Sequence, residues 1–258
     1  MNLSIKKRDP YTTLAEIYDS VMQDVDYETW ADYIDEIIMH HHPEARDLLE
    51  LACGTGTMAL SLEELGFFNI TATDGAPEMV KAAQKKGNKV NSEVDFQVVD
   101  FLDIRLDKKF DVVFMVFDSV NYLHKKEEIE QLFSQVSSVL KNKGIFIFDF
   151  TTPRNSRQAI KVLNNNSRRV NAFTRFHRES TYNAKERIHT NRFHIEITDV
   201  AGSGKKEMIE ETHHQKIYTF EEMSDITEKS EFNLLEAYDG FELKPAHDNS
   251  LRITMVLQ

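Results

Sequence analysis

The sequence predicts an α/β fold: a doubly wound parallel sheet flanked by helices, with an antiparallel β-meander inserted behind it. Three observations carry this. Between residues 47 and 150, short apolar runs alternate with segments of helical period, the pattern of a parallel sheet buried on both faces. A glycine-rich turn, "ACGTGT" at residues 52–57, follows the first of those runs. After Thr152 come long segments that alternate polar and apolar residues, as half-solvated antiparallel strands do.

The elements follow in order. Residues 11–42 read as two helices: "TLAEIYDSVM" carries Leu14, Ile17, Tyr18 and Val21 at helical spacing, and "YETWADYIDEIIMH" carries Trp30, Tyr33, Ile34, Ile37 and Ile38. "DLLELA" is the first buried strand, and the helix "TMALSLEELG" closes at Gly66. "NITATD" is the second strand. Pro77 opens the helix "PEMVKAAQKKG" and Gly87 is expected to end it. "VDFQVVD" and "FDVVFMVFD" are the third and fourth strands. "KKEEIEQLFSQVSSVLKNKG" is a helix expected to stop at Gly144, before the fifth strand "IFIFDF". The meander consists of "VNAFTRFHRESTY", "RIHTNRFHIEITDV" and "KEMIEETHHQKIY", with turns at "NAKE" and "AGSGKK" and a loop tip at Asn164–Asn166. Thr219 and Glu222 form a capping box ahead of the helix "FEEMSDITEKS". "FNLLEAYD" and "SLRITMVLQ" end the chain as strands. The expected organisation is a core over 1–153 with an N-terminal helical cap, an antiparallel insertion over 154–217, and a helix and strand pair over 218–258 that complete the core.

Composition narrows the function. The 258 residues carry a formal charge of −12, which repels phosphate backbones, so no nucleic-acid partner is expected. The single cysteine, Cys53, cannot form an internal disulfide and fits a reducing compartment. No run approaches the ~18 apolar residues of a membrane span, and the N-terminus lacks a signal-peptide core. The expectation is a cytoplasmic protein with no membrane partner. "HHH" at residues 40–42 points its side chains in different directions on a helix, so a helix C-terminus is expected and no metal site.

The chemistry gathers at the turn. Gly54 and Gly56 lack the Cβ atoms that keep ligands off a backbone, and the helix from Thr57 aims free N–H groups at the same place. A dinucleotide fingerprint can be fitted to Gly54, Gly56 and Ala59, with Asp74 at the ribose-binding distance. A Walker loop is excluded, because no Gly-Lys-Ser/Thr follows. Two features separate the remaining readings. Glu50, two residues before the turn, suits a cation better than a pyrophosphate, and S-adenosyl-L-methionine (SAM) presents an ammonium and a sulfonium. Asp100-Phe101 pairs an acceptor for an adenine amino group with an apolar wall. Glu50, Asp74 and Asp100 thus end consecutive strands around one turn.

At these residues the sequence resembles the class I SAM-dependent methyltransferases. "LLELACGTGT", "TATDGAPEMVKAA", "VVDFLD" and "FDVVFMVFDSVNYL" look like their first four motifs, and "LKNKGIFIFDF" like the fifth strand and its lead-in. The resemblance implies a Rossmann-like seven-stranded sheet whose last two strands, 232–239 and 250–257, form a hairpin. Within the superfamily the chain resembles bacterial small-molecule methyltransferases, including amino-sugar N,N-dimethyltransferases, on "YDSVMQDVDYETWADYI", "DSVNYL" and "EETHHQKIYTFEEM". That group inserts an antiparallel sheet over the substrate, where the meander lies.

The resemblance also implies residue roles. Glu50 and the backbone of Ala52, Cys53, Gly54, Thr55 and Gly56 hold the methionine part of SAM. Asp74 takes the ribose hydroxyls, Gly75 is a further cofactor-binding residue, Met79 packs near the adenine, and Asp100 and Phe101 read its edge. Phe117 lies beside the methionine moiety, and Tyr18 and Trp30 cover the cofactor, although core packing accounts equally well for Trp30. Tyr18, Asp118 and Tyr122 are the candidate catalytic groups, with Asn121, His213 and His214 toward the substrate. Only one of the two adjacent histidines can face a pocket from a strand. The implied reaction moves a methyl group to a small-molecule amine or hydroxyl, releasing S-adenosyl-L-homocysteine, in a monomer or homodimer. A SAM-binding regulator without catalysis and a nicotinamide-dependent reductase are the alternatives. "FDSVNYL" lacks the N/D-P-P-Y/F pattern of nucleic-acid base-amino methyltransferases.

Overall fold

A computed structural model describes residues 5–198 and 206–258. The chain opens with strand β1 (Ile5–Arg8), then a 3-10 turn (Leu14–Ile17) that runs into the short helix α1 (Tyr18–Val21). Helix α2 (Tyr27–His41) starts where the Asp26 carboxylate accepts the Thr29 N–H at 3.0 Å, a side-chain N-cap. The βα alternation follows: β2 (Asp47–Leu51), α3 (Thr57–Glu63), β3 (Asn69–Asp74), α4 (Pro77–Val90), β4 (Asp95–Val98), β5 (Phe110–Met115), α5 (Lys126–Val139) and β6 (Leu140–Thr151). Then come α6 (Pro153–Leu163), β7 (Asn166–Arg169), β8 (Thr174–Asn183), β9 (Ile188–Thr198), β10 (Lys206–Lys216), α7 (Phe220–Glu228), β11 (Leu234–Asp239) and β12 (Arg252–Leu257).

The main sheet has seven strands in the order β11-β12-β6-β5-β2-β3-β4. The strands from β6 to β4 are parallel, and the β11–β12 hairpin adds antiparallel to β6. This is the Rossmann-like seven-stranded sheet that the resemblance implies. Alternation along the strands explains both covered faces. Leu48, Val112, Phe114 and Ile147 pack toward α2, α3 and α4, whereas Leu49, Val113, Met115, Phe146 and Phe148 pack toward α5 and α7.

The second sheet, order β1-β10-β9-β8-β7, covers the carboxyl ends of the first. Its inner face presents Phe176, Phe193, Ile195 and Ile209 to Leu14 and Ile17 of the N-terminal segment. Strand β1, which pairs parallel with β10, and helix α6 were not anticipated from the sequence. Strand β1 is wholly exposed and α6 buries only Ser156 fully, so neither carries the buried apolar run that marks the core elements.

Two glycines do not stop helices as expected. Helix α4 runs past Gly87 to Val90 and ends at Asn91, a left-handed C-cap. Gly87 is small because a Cβ there would lie 3.0 Å from the Phe96 ring. Helix α5 ends at Val139, and Gly144 lies inside β6, where a Cβ would sit 3.0 Å from the Asp111 carbonyl oxygen. Residues 201–205 of the "AGSGKK" turn lie outside the described residues. The Thr219/Glu222 capping box is present, with each backbone N–H donating to the other side chain at 3.0 and 3.2 Å. Among the described residues no helix is long and apolar enough to cross a membrane.

Candidate active site

The turn after β2 is built from left-handed backbone: φ is +55° at Ala52, +55° at Gly54 and +75° at Gly56. The two glycines serve different ends. A Cβ on Gly54 would meet only Tyr18 Cε1, at 3.7 Å, so this glycine keeps the backbone open toward a cavity. A Cβ on Gly56 would lie 2.5 Å from Phe96 Cε1 and 2.9 Å from Ala83 Cβ. Gly56 is therefore there for packing, which corrects the expectation that both glycines clear room for a ligand. The turn is tied down from both sides. Thr55 Oγ1 donates to Asp19 at 2.5 Å, and Lys86 Nζ donates to Thr57 Oγ1 at 2.6 Å and pairs with Asp19 at 2.8 Å. Burial pushes the Cys53 thiol well up, so it is not a thiolate nucleophile.

The cavity has a volume of about 760 Å³ and lies between the carboxyl ends of the main sheet and the inner face of the second. This is within the ~300–1,000 Å³ usual for small-molecule sites. Glu50 lines its floor, 2% exposed, with Oε2 lacking a hydrogen-bond partner among the described residues. Burial first, then the Asp74 charge, raise this carboxyl well above its ordinary value. A buried carboxylate without a cation is unfavourable, so the position calls for a positively charged group. Asp74 also lines the cavity. Its two oxygens accept the Gly54 N–H at 2.9 Å and the Ala76 N–H at 2.8 Å, and burial raises its carboxyl.

One wall is aromatic. The Trp30 ring lies 4.3 Å from that of Phe117 and 4.6 Å from that of Phe241. Ala52, Cys53, Gly54, Thr55, Gly75, Met79 and Phe101 also line the cavity. Asp100 does not line it: the residue is exposed and its Oδ1 accepts the Leu102 N–H at 2.9 Å.

After β5 the backbone again turns left-handed, at Phe117 (φ +60°) and Asp118 (φ +51°). Asp118 lines the cavity with both carboxylate oxygens already engaged, by Arg252 Nη2 at 2.6 Å and Gln215 Nε2 at 2.5 Å. Arg252 also pairs with the fully buried Asp149. Asp118 is thereby a strut between the two sheets rather than a free base. Asn121 is fully buried off the lining: its Nδ2 donates to the Lys216 carbonyl at 2.7 Å and its Oδ1 accepts the Thr151 N–H. The expectation that Asn121 faces the substrate is corrected, since its amide is spent on holding β10 to β6.

The roof is the period-two inner face of β8, β9 and β10, and it resolves the histidine pair. His213 lines the cavity, whereas His214 is exposed on the outer face with Nδ1 3.0 Å from Thr190 Oγ1, contrary to its expected place at the substrate. The Tyr122 hydroxyl lies 3.1 Å from His213 Nδ1 and 2.5 Å from the Tyr11 hydroxyl. Burial lowers His213 to about 4 and raises the phenols of Tyr11, Tyr18 and Tyr122, so all four are neutral near pH 7. Tyr11, Arg178, Asn191, Gln215 and Phe241 also line the cavity and were missed. The available signal was that β8, β9 and β10 carry polar residues on both faces, more than one solvated side requires.

Comparison with known proteins agrees with this architecture. A methyltransferase-domain family model matches residues 48–144. YqeM of Bacillus subtilis (strain 168), which bears a provisional methyltransferase name, is 36% identical over 140 residues, covering 54% of each chain. A dTDP-3-amino-3,4,6-trideoxy-alpha-D-glucopyranose N,N-dimethyltransferase of Streptomyces venezuelae is 28% identical over 52% of this chain and 56% of its own. The matched region thus spans about half the length of these curated relatives. The crystal structure of an S-adenosylmethionine-dependent methyltransferase from Clostridium acetobutylicum ATCC 824 superposes with a TM-score of 0.77 at 26% identity, covering 96% of this chain and 98% of that one. With its seven-stranded sheet, glycine turn and acid-lined cavity, the chain carries a methyltransferase domain over residues 48–144, with S-adenosyl-L-methionine as its cofactor.

Proposed function

We propose that the protein methylates a small-molecule amine held under the five-stranded sheet. The observation that carries this is one continuous cavity with the Glu50 carboxylate at its floor, its Oε2 without a hydrogen-bond partner among the described residues. Glu50 faces the ammonium of the cofactor's methionine part, and the open backbone at Gly54 lies against it. Asp74 takes the ribose hydroxyls through the lone pairs its two N–H partners leave free. Met79 and Phe101 flank the adenine, and Trp30 and Phe117 cover the methionine side. When bound, SAM supplies an electrophilic methyl group on a sulfonium. The chain's own contribution is positioning and exclusion of water, which can supply on the order of 7–11 kcal/mol.

The acceptor chemistry follows from the roof. A hydroxyl acceptor needs a base to take its proton. Tyr18 and Tyr122 are held as neutral phenols, Asp118 is engaged by Arg252 and Gln215, and His213 is too weakly basic. A neutral amine needs only alignment, for which the Tyr11–Tyr122–His213 chain offers hydrogen bonds. The amine-directed activity in the Streptomyces venezuelae relative's name supports the same reading.

The test is twofold. Calorimetric titration should show SAM binding and no NADPH binding; the opposite result sinks the reading. An acceptor screen following S-adenosyl-L-homocysteine release should then find turnover with primary or secondary amines and none with matched alcohols. SAM binding with no turnover on any amine would favour a non-catalytic SAM-binding role.

A further inference from the structure

The cavity holds three arginines, and two of them are neutralised. Arg252 pairs with Asp118 and Asp149, and Arg168 pairs with Asp24 at 2.7 Å. Arg178, on the inner face of β8, has no carboxylate within ion-pair distance among the described residues. Its guanidinium is nevertheless held in place. Nε and Nη2 both donate to Asn191 Oδ1, at 3.0 and 2.8 Å. That oxygen also accepts from Ser180 Oγ at 2.9 Å, and Ser180 Oγ lies 2.8 Å from His189 Nε2. The Phe193 ring supports the guanidinium face, 5.3 Å from centroid to Cζ. With the Nε edge spent on Asn191, the Nη1/Nη2 edge has no hydrogen-bond partner among the described residues. An arginine carries five N–H donors in a rigid fork, so this leaves one two-pronged donor edge in a cavity wall.

We propose that Arg178 is the anchor for a carboxylate on the methyl acceptor, so that the substrate is a small amine bearing a carboxylate, in the manner of an amino acid. This rests on the amine-methylation reading above and narrows it. A planar carboxylate matches one guanidinium edge with two parallel hydrogen bonds. A dianionic phosphate fits less well. The cavity also contains Glu50, Asp74 and Asp118, and Arg178 alone among its arginines is free to balance added negative charge. The orienting network of Ser180, His189 and Asn191 lies on the same face of β8 and β9 as Arg178, and His189 and Asn191 line the cavity with it. Burial disfavours an uncompensated guanidinium charge, so a carboxylate seated there relieves a cost already built into the unliganded fold.

The experiment uses the full chain loaded with S-adenosyl-L-homocysteine. The probes are short α- and ω-amino acids, the carboxamide of each, and the corresponding aminoalkyl phosphates, observed by saturation-transfer NMR with competition for affinity. The acids are expected to bind on the order of 10- to 100-fold more tightly than their amides. Arg178→Gln should remove that preference, and Arg178→Lys should restore part of it because the charge returns without the fork. Both variants should keep the wild-type affinity for S-adenosyl-L-homocysteine, which confirms that they are folded. The proposal is overturned if acids and amides bind alike, if no acid binds the loaded chain, if Arg178→Gln retains the preference, or if the phosphates outcompete the acids. Failure to load S-adenosyl-L-homocysteine at all would instead overturn the amine-methylation reading, and this proposal with it.

Discussion

Replacing Glu50 with glutamine should make the ligand-free protein more stable and the cofactor complex weaker. Glu50 is 2% exposed, its Oε2 has no partner among the described residues, and burial first, then the Asp74 carboxyl, raise its proton affinity. In the unfolded chain the group titrates at its ordinary value of about 4.3. Because the folded value lies above that, the folded state binds the proton more tightly, and stability falls as pH rises beyond the unfolded value. Glutamine is nearly isosteric and keeps an oxygen for the Ala59 N–H that reaches this side chain, but it carries no charge. Leaving a buried charged group unsatisfied costs about 1–3 kcal/mol or more. In a chain of this size each kcal/mol moves the melting temperature by roughly 2–4 °C. Glu50→Gln should therefore melt roughly 2–10 °C higher at neutral pH without ligand, with a flatter dependence on pH above the carboxylate range. SAM affinity should fall on the order of 10- to 100-fold, from losing one charge-assisted hydrogen bond. Saturating SAM should narrow or reverse the gap in melting temperature, since the wild type gains more from binding. The assays are thermal unfolding with and without SAM, and calorimetric titration. A variant that melts lower without ligand, or that binds SAM as tightly as wild type, would refute the reasoning.

Asp74→Ala should weaken SAM binding on the order of 100-fold, because it removes a cavity carboxylate that also braces the Gly54 N–H. Asp100→Ala, off the cavity lining, should lose less than about 10-fold by the same titration; equal losses would argue against the placement. Gly56→Ala should destabilise the fold by about 2–5 kcal/mol in chemical denaturation, through overpacking against Phe96 and the left-handed backbone. His213, lowered to about 4 in the folded state against an ordinary value near 6.5, should cost stability as pH falls through that interval, because only the unfolded chain takes up the proton. The loss approaches about 3 kcal/mol, and His213→Asn should remove it in denaturant titrations at matched pH values. Arg252→Met strands the buried Asp149 and should lower stability by about 3–5 kcal/mol; a neutral effect would mean that the pair is dispensable.

The sequence by itself determined the main sheet and the floor of the site. Strands β2, β3, β5 and β6 announce themselves as apolar runs because they are buried on both faces, and the C-terminal hairpin follows the family pattern. Glu50, Asp74 and the Gly54 turn were legible because each sits at a strand end fixed by that local pattern. What the sequence could not supply was the direction of side chains brought together from distant segments. Only the tertiary structure decided that His213 and not His214 enters the cavity, since a one-residue change of register exchanges the two faces of a strand. It also decided that Asn121 and Asp118 are consumed by contacts to β10 and Arg252, and that Gly56 answers to Phe96 rather than to a ligand. Arg178 became visible as an unneutralised charge only once Asp24, Asp118 and Asp149 had been matched with the other two arginines. Pairings of this kind depend on contacts across some 30 to 150 residues of chain, and no local periodicity encodes them.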